Sequence, residues 1–190
     1  MHVLTILDHP DPTSFTFAVA RAFCEGAERA GHTTEVADLH AEGFDPRWCK
    51  SDADGIATLD VLAEQARIDK ADALGFVFPL FWWGMPAMTK GWIDRVWTWG
   101  WAYDQLADPD VSLQKARTAV LLVPAGARSD EMDQRGYASA LETAWTKGTF
   151  GYFGFVNREL ILLNGSTGSD ARREALLARA HEAGFSLQLP

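Results

Sequence analysis

The 190-residue chain is predicted to be an α/β protein: a doubly wound, five-stranded parallel sheet with helices on both faces. Two observations predict it. Short apolar runs alternate along the chain with stretches of helical period. The runs themselves show no polar alternation, the mark of strands buried on both faces. Composition agrees, since 47% hydrophobic and 23% charged residues suit a soluble globular protein and exclude disorder.

Residues 3–7 (VLTIL) form the first strand and run into a polar, proline-bearing loop, residues 8–13. Ser14 suits a helix N-cap. Phe15, Ala18, Val19, Ala22, Phe23 and Ala27 then recur at helical spacing up to Gly31, a suitable stop. Residues 33–37 are a second strand, and residues 39–54 a polar connection. Residues 59–68 are a helix, and residues 73–79 (ALGFVFP) a third strand. Residues 86–97 are a helix with Pro86 near its first turn. A strand over 118–123, a helix over 137–146, a strand over 159–163 and a helix over 170–184 complete the series. Five strands in this order fit a flavodoxin-like sheet in a single domain, 1–190.

The formal charge of −9 argues against nucleic acid as a partner, because phosphate-backbone binding needs a basic surface. The N-terminal apolar run is too short for a membrane span and has no basic flank, so a cytoplasmic protein is expected. Cys24 falls on the apolar face of the first helix and is expected to be a buried thiol. Cys49 lies in a polar loop. Histidine spacing gives no metal-ligand pattern, and no GxSxG elbow is present.

Tryptophan is the unusual residue. Six of eight (Trp82, Trp83, Trp92, Trp97, Trp99, Trp101) fall within residues 82–101. Trp92, Val96 and Trp99 can share one helical face. Trp97, Trp101 and Tyr103 cannot all join it, and an aromatic-rich surface suits a subunit interface or a satellite core.

Ligands of such sheets bind at the carboxyl ends of the strands. The first loop there, DHPDPTSF, lacks dinucleotide and P-loop fingerprints. It still sets His9, Thr13 and Ser14 at a helix start, which is either an anion site or a plain cap. The second, PLFWWGMP, follows a buried strand. It offers aromatic faces and backbone amides to a flat ligand, or forms a hydrophobic plug. In the third, Ala125 and Gly126 let a ligand approach the backbone. In the fourth, Arg172 either reaches a phosphate or makes a surface ion pair.

These segments resemble the NAD(P)H:quinone oxidoreductases of the flavodoxin-like fold. The resemblance rests on His9 with Thr13-Ser14-Phe15, Ala63-Glu64-Gln65, the run from Pro79 to Pro86, Lys90 to Val96, Gly100 to Tyr103, and Asp170-Ala171-Arg172. It implies a tightly bound flavin (FAD, or FMN), NAD(P)H as hydride donor, ping-pong transfer to a quinone-like acceptor, and a homodimer with its active site at the interface. His9, Thr13, Ser14 and Phe15 would hold the flavin's phosphates and ribityl chain. Pro79, Leu80, Phe81, Trp82, Trp83 and Gly84 form the loop that would hold the isoalloxazine edge, with Ala125 and Gly126 at its pyrimidine end. Gln65 and Arg172 match positions approaching the adenosine half. Tyr103 matches an aromatic that reaches the partner subunit's pocket. Tyr137 falls near the family's proton-relay histidine. The chain departs from the pattern at Phe81, where many members have Gln, and at Val123-Pro124-Ala125-Gly126, which replaces Thr-Thr-Gly-Gly. Alternative functions are a tailoring reductase for one polycyclic, nitro or azo compound, and a regulatory subunit docking on a membrane transport protein.

Overall fold

The computed structural model describes residues 1–103 and 118–188. Five strands, β1 (His2–Leu7), β2 (Thr33–Asp38), β3 (Ala73–Val77), β4 (Thr118–Ala125) and β5 (Asn157–Asn164), form one sheet in the order β2-β1-β3-β4-β5. Every pairing is parallel. The strand order reverses between β1 and β3, the point where ligands of such sheets lie.

Alternate residues of each strand serve opposite layers. Leu4, Ile6, Leu74, Phe76, Leu121 and Val123 face one core, and Val3, Leu7, Val77, Val120, Leu122 and Leu163 the other. The second core is closed by α1 (Phe15–Arg29) and α7 (Asp170–Phe185). Glycines set how closely these helices cross. A Cβ on Gly26 would stand 1.9 Å from His181 O, and one on Gly184 2.0 Å from Phe23 O.

The first core is aromatic. It is covered by α3 (Leu59–Ile68), α4 (Ala87–Val96), α6 (Tyr137–Leu141) and a π-helical run, Glu142–Phe150. Phe76 meets Trp92, Trp97 and Phe150 edge-on at centroid distances of 5.9, 5.9 and 4.9 Å. The Trp92 indole N–H donates to Glu64 at 2.8 Å, and Arg67 pairs Glu64, Glu35 and Glu42. This burial satisfies its one polar atom.

Several elements differ from expectation. The expected helix over 137–146 is α-helical only to Leu141 and then widens. The Thr146 and Thr149 hydroxyls donate to backbone carbonyls of Glu142 and Ala144, which favours the wider turn over straight α-helix. Two short helices, α2 (Lys50–Ala53) and α5 (Ser129–Gln134), stand where loops were expected. The third strand ends at Val77 rather than Pro79. The helix α4 ends at Val96, so Trp99 leaves the face it was expected to share with Trp92 and is 61% exposed.

The connection from β2 to α3 is tied down by Arg95. This buried guanidinium pairs with Asp52 at 3.1 Å and Asp60 at 2.7 Å, and donates to Thr58 and to Asp45 O. One turn earlier on α4, Gly91 lets Pro46 O approach to where a Cβ would sit 2.1 Å away. Cys24 is buried as expected, Cys49 is exposed, and both thiols are free. Among the described residues no helix is long and apolar enough to cross a membrane.

Candidate functional site

Four loops meet at the carboxyl edge of the sheet. The first begins at Asp8, buried at the end of β1, whose N–H donates to Val77 O. The loop then folds on itself. His9 Nδ1 accepts from the Asp11 amide at 3.0 Å, so a neutral ring carries its proton on Nε2, free to donate outward. Asp11 accepts from the Thr13 amide and hydroxyl, and these bonds hold its carboxyl below the usual range. Ser14 caps α1, its hydroxyl accepting from the Phe17 amide at 3.4 Å. The Ala18 amide is bound by Ser14 O, so the Phe15 and Thr16 amides are the uncommitted donors of this turn.

The second loop holds an unusual turn. Phe81 and Gly84 exchange two backbone hydrogen bonds, of 3.1 and 2.8 Å, around a two-residue tip. Both tip residues have positive φ, 48° at Trp82 and 60° at Trp83. Such a tip normally takes Asn-Gly, because a Cβ is strained there. Here it carries two of the largest side chains. Trp82 is 97% exposed, whereas Trp83 stacks on Tyr137 with centroids 4.0 Å apart and planes 23° apart. Backbone strain of this kind clusters at active sites and ligand clamps.

The remaining loops form the opposite wall. Leu80 N–H donates to Pro124 O, joining the second loop to β4. Ala125 O and Ala127 O accept from the Ser166 and Gly165 amides, joining the third loop to the fourth. Leu80, Trp82, Trp83, Ala125, Gly126 and Ala127 line a cleft of about 140 Å³. Gly126 leaves its side open, the nearest atom to an added Cβ being a Thr167 methyl at 3.7 Å. Arg172 lies over the fourth loop and donates to Asn164 O at 2.8 and 3.3 Å.

Comparison with known proteins assigns the chain. Residues 1–184 match the family described as flavodoxin-like fold. The chain is 32% identical over 199 residues to NAD(P)H dehydrogenase [quinone] 1 of Cavia porcellus, covering 91% of this chain and 72% of that protein. The solved NAD(P)H:quinone oxidoreductase from Methanothermobacter marburgensis superposes with a TM-score of 0.90 at 35% identity, covering 99% of both chains. The chain belongs to the NAD(P)H:quinone oxidoreductase family. A more distant solved structure, an FMN-dependent NADH-azoreductase from Bacillus anthracis in complex with FMN, shares the fold at 18% identity, with a TM-score of 0.71 over 96% of this chain and 97% of that one.

Within this quinone oxidoreductase, the residues expected to bind a cofactor divide in two. His9, Thr13, Ser14, Pro79 to Gly84, Ala125, Gly126 and Arg172 lie in or beside the loops at the carboxyl edge. Phe15 opens α1, and its ring lies 4.9 Å from the Arg173 guanidinium. Gln65 stands apart. It is buried, and its amide donates to Val96 O at 2.9 Å and Thr98 at 3.0 Å, tying α3 to the exit of α4. Of the two tyrosines, Tyr137 belongs to the tryptophan turn through its stack. Tyr103 lies against Tyr152 and Phe153, on the wall of a separate cavity of about 770 Å³.

Sequence reasoning passed over Asp8, Thr89 and His40. Asp8 accepts from the Thr89 amide at 2.9 Å and from its hydroxyl, and meets His40 Nε2 at 2.9 Å. The three are separated by up to 81 residues, so no local pattern links them.

Proposed function

We propose that the chain is a flavin-dependent NAD(P)H oxidoreductase that reduces quinones or similar flat acceptors by two-electron, ping-pong hydride transfer. The observation that carries this reading is the positive-φ Trp82–Trp83 tip facing the bare backbone of Ala125 and Gly126. Family membership supports the same reading. The residues present fit a flat cofactor with an anionic tail. The Phe15 and Thr16 amides and His9 Nε2 can donate to phosphate at a helix start. The tryptophan tip and Gly126 can bracket a planar ring edge. The flavin would supply hydride acceptance and donation when bound. This chain's own residues would bind and orient it, exclude water, and, at the Tyr137 hydroxyl, hold a proton near the tryptophan tip. FAD or FMN would serve.

A homodimer with its active site at the interface completes the proposal. Tyr103 and the half-exposed Tyr152 border the larger cavity together with Trp48, Ile93 and Phe153. That aromatic surface suits a partner subunit.

Purified protein should be yellow, lose its colour with NAD(P)H in the absence of oxygen, and release FAD or FMN on heating. A colourless protein that neither flavin reconstitutes overturns the proposal. Trp82→Ala should weaken flavin binding about 3–10-fold, as expected for the loss of one aromatic contact. An unchanged dissociation constant would remove Trp82 from the platform. The same tip predicts a stability gain. Trp82→Asn should stabilise the flavin-free protein by about 1 kcal/mol, since Asn tolerates the left-handed conformation and the lost side chain buries little surface. Urea denaturation checks it, and a destabilised variant contradicts it.

A further inference from the structure

We infer that Asp8 is a positioning residue that fixes the tryptophan turn relative to the anion-binding loop, and so tunes flavin affinity without touching the flavin. The inference rests on the flavin reading above. Asp8 directly follows β1 and precedes His9. Its carboxylate is buried, with both oxygens committed. One accepts from the backbone N–H and the hydroxyl of Thr89, and the other meets His40 Nε2. Thr89 is fully buried and is the third residue of α4.

The N-cap of α4 is Pro86, which has no side-chain acceptor and makes no capping bond. The first-turn amides of a helix need an acceptor from elsewhere. Asp8 supplies it from just beyond β1, and its negative charge suits the positive end of the helix dipole. The segment entering α4 is the tryptophan turn itself. One carboxylate therefore locks the start of the first loop to the base of the second. His40, at the exit of β2, fixes the carboxylate from a third side.

Two loops that grip one ligand bind it well only at the right separation. Thr89→Val keeps the shape and the backbone donor but removes the hydroxyl. Thr89→Ser restores it. Asp8→Asn keeps the size of the carboxylate but cannot serve Thr89 and His40 as the ion does. The test is titration of the flavin-free protein with FMN and with FAD, followed by fluorescence quenching.

Thr89→Val and Asp8→Asn should each weaken binding about tenfold, the scale of one charge-assisted hydrogen bond. Thr89→Ser should stay within about twofold of wild type on the same scale. If the network acts through the turn, Thr89→Val combined with Trp82→Ala should weaken binding by much less than the product of the two single effects. A purely structural role would give additive effects. Wild-type-like binding by both Thr89→Val and Asp8→Asn overturns the inference and leaves the flavin reading intact. So does additivity with Trp82→Ala, or loss of the folded state in both variants by circular dichroism. A wild-type protein that takes up neither flavin overturns the functional reading and this inference with it.

Discussion

Replacing Arg95 with methionine is expected to destabilise the protein by about 3–5 kcal/mol, the usual cost of removing one partner from a buried ion pair. The Arg95 side chain is 5% exposed and that of Asp52 2%, so water cannot take over the lost contacts. Asp52 would be left as a buried carboxylate without a cation, held only by hydrogen bonds from Cys49. Asp60, Thr58 and Asp45 O would each lose a donor, and Phe44 the cation 5.3 Å from its ring. The segment from residue 44 to residue 60 would then rest on α4 chiefly through Pro46 over Gly91. Methionine keeps much of the apolar stem, which restricts the loss to charge and hydrogen bonding. Urea denaturation monitored by tryptophan fluorescence measures the change. A loss below about 1 kcal/mol, the range of an exposed pair, would mean that the cluster is solvated in practice.

The same cluster gives the acid limb of stability. Burial pushes the Asp52 carboxyl up, but hydrogen bonds from Cys49 and Arg95 outweigh it and hold it below its ordinary value. Asp60 is likewise raised by burial and lowered further by Arg95 and Thr58. Both groups therefore titrate lower in the folded chain than the ordinary 3.8 of the unfolded one. The unfolded chain binds more protons in that window, so their contribution is complete above it and is lost as pH falls through the folded values. Arg95→Met should flatten this dependence. An equal slope of stability against pH below 4 in both proteins would contradict the assignment.

Gly184→Ala is expected to cost about 1–3 kcal/mol or more, through overpacking. The added carbon would stand 2.0 Å from Phe23 O and 2.9 Å from Ala27 N, both backbone atoms that no rotamer change can move aside. The helices α1 and α7 would have to separate, and Val19, Phe23, Leu176 and Ala180 would lose packing. Gly26→Ala should act at the same crossing against His181 O. The two changes share one displacement, so the double variant should lose less than their sum. An unfolding midpoint within error of wild type for Gly184→Ala would show that the crossing yields without cost.

The sheet was legible because its signals are local. The bounds of α3, and the N-cap and opening of α1, follow directly from periodicity and capping chemistry. The order of the loops along the carboxyl edge follows from the topology alone. What was not legible depends on contacts far apart in sequence. The π-helical run depends on where Thr146 and Thr149 send their hydroxyls. The position of Trp99 depends on α4 ending at Val96, where no glycine or proline marks a stop. Gln65 matches a family motif in sequence, yet its amide is used inside the protomer. Asp8 opens a loop and belongs to no local motif. Its partners come from elements that only the folded sheet brings together.

The unequal placement of the two cysteines makes the chain its own clock. Cys49 stands in solvent, whereas Cys24 lies on the buried face of α1 with its thiol 3.6 Å from the Thr5 hydroxyl of β1. Burial pushes that thiol's pKa up and lowers its reactivity further. A thiol reagent should therefore consume one equivalent at once and the second only as fast as the α1 layer opens. That slow phase reports the free energy of opening under native conditions, without denaturant. It should quicken in Gly184→Ala, whose strain lies in the same layer, and slow when a ligand stiffens the first loop at the head of α1.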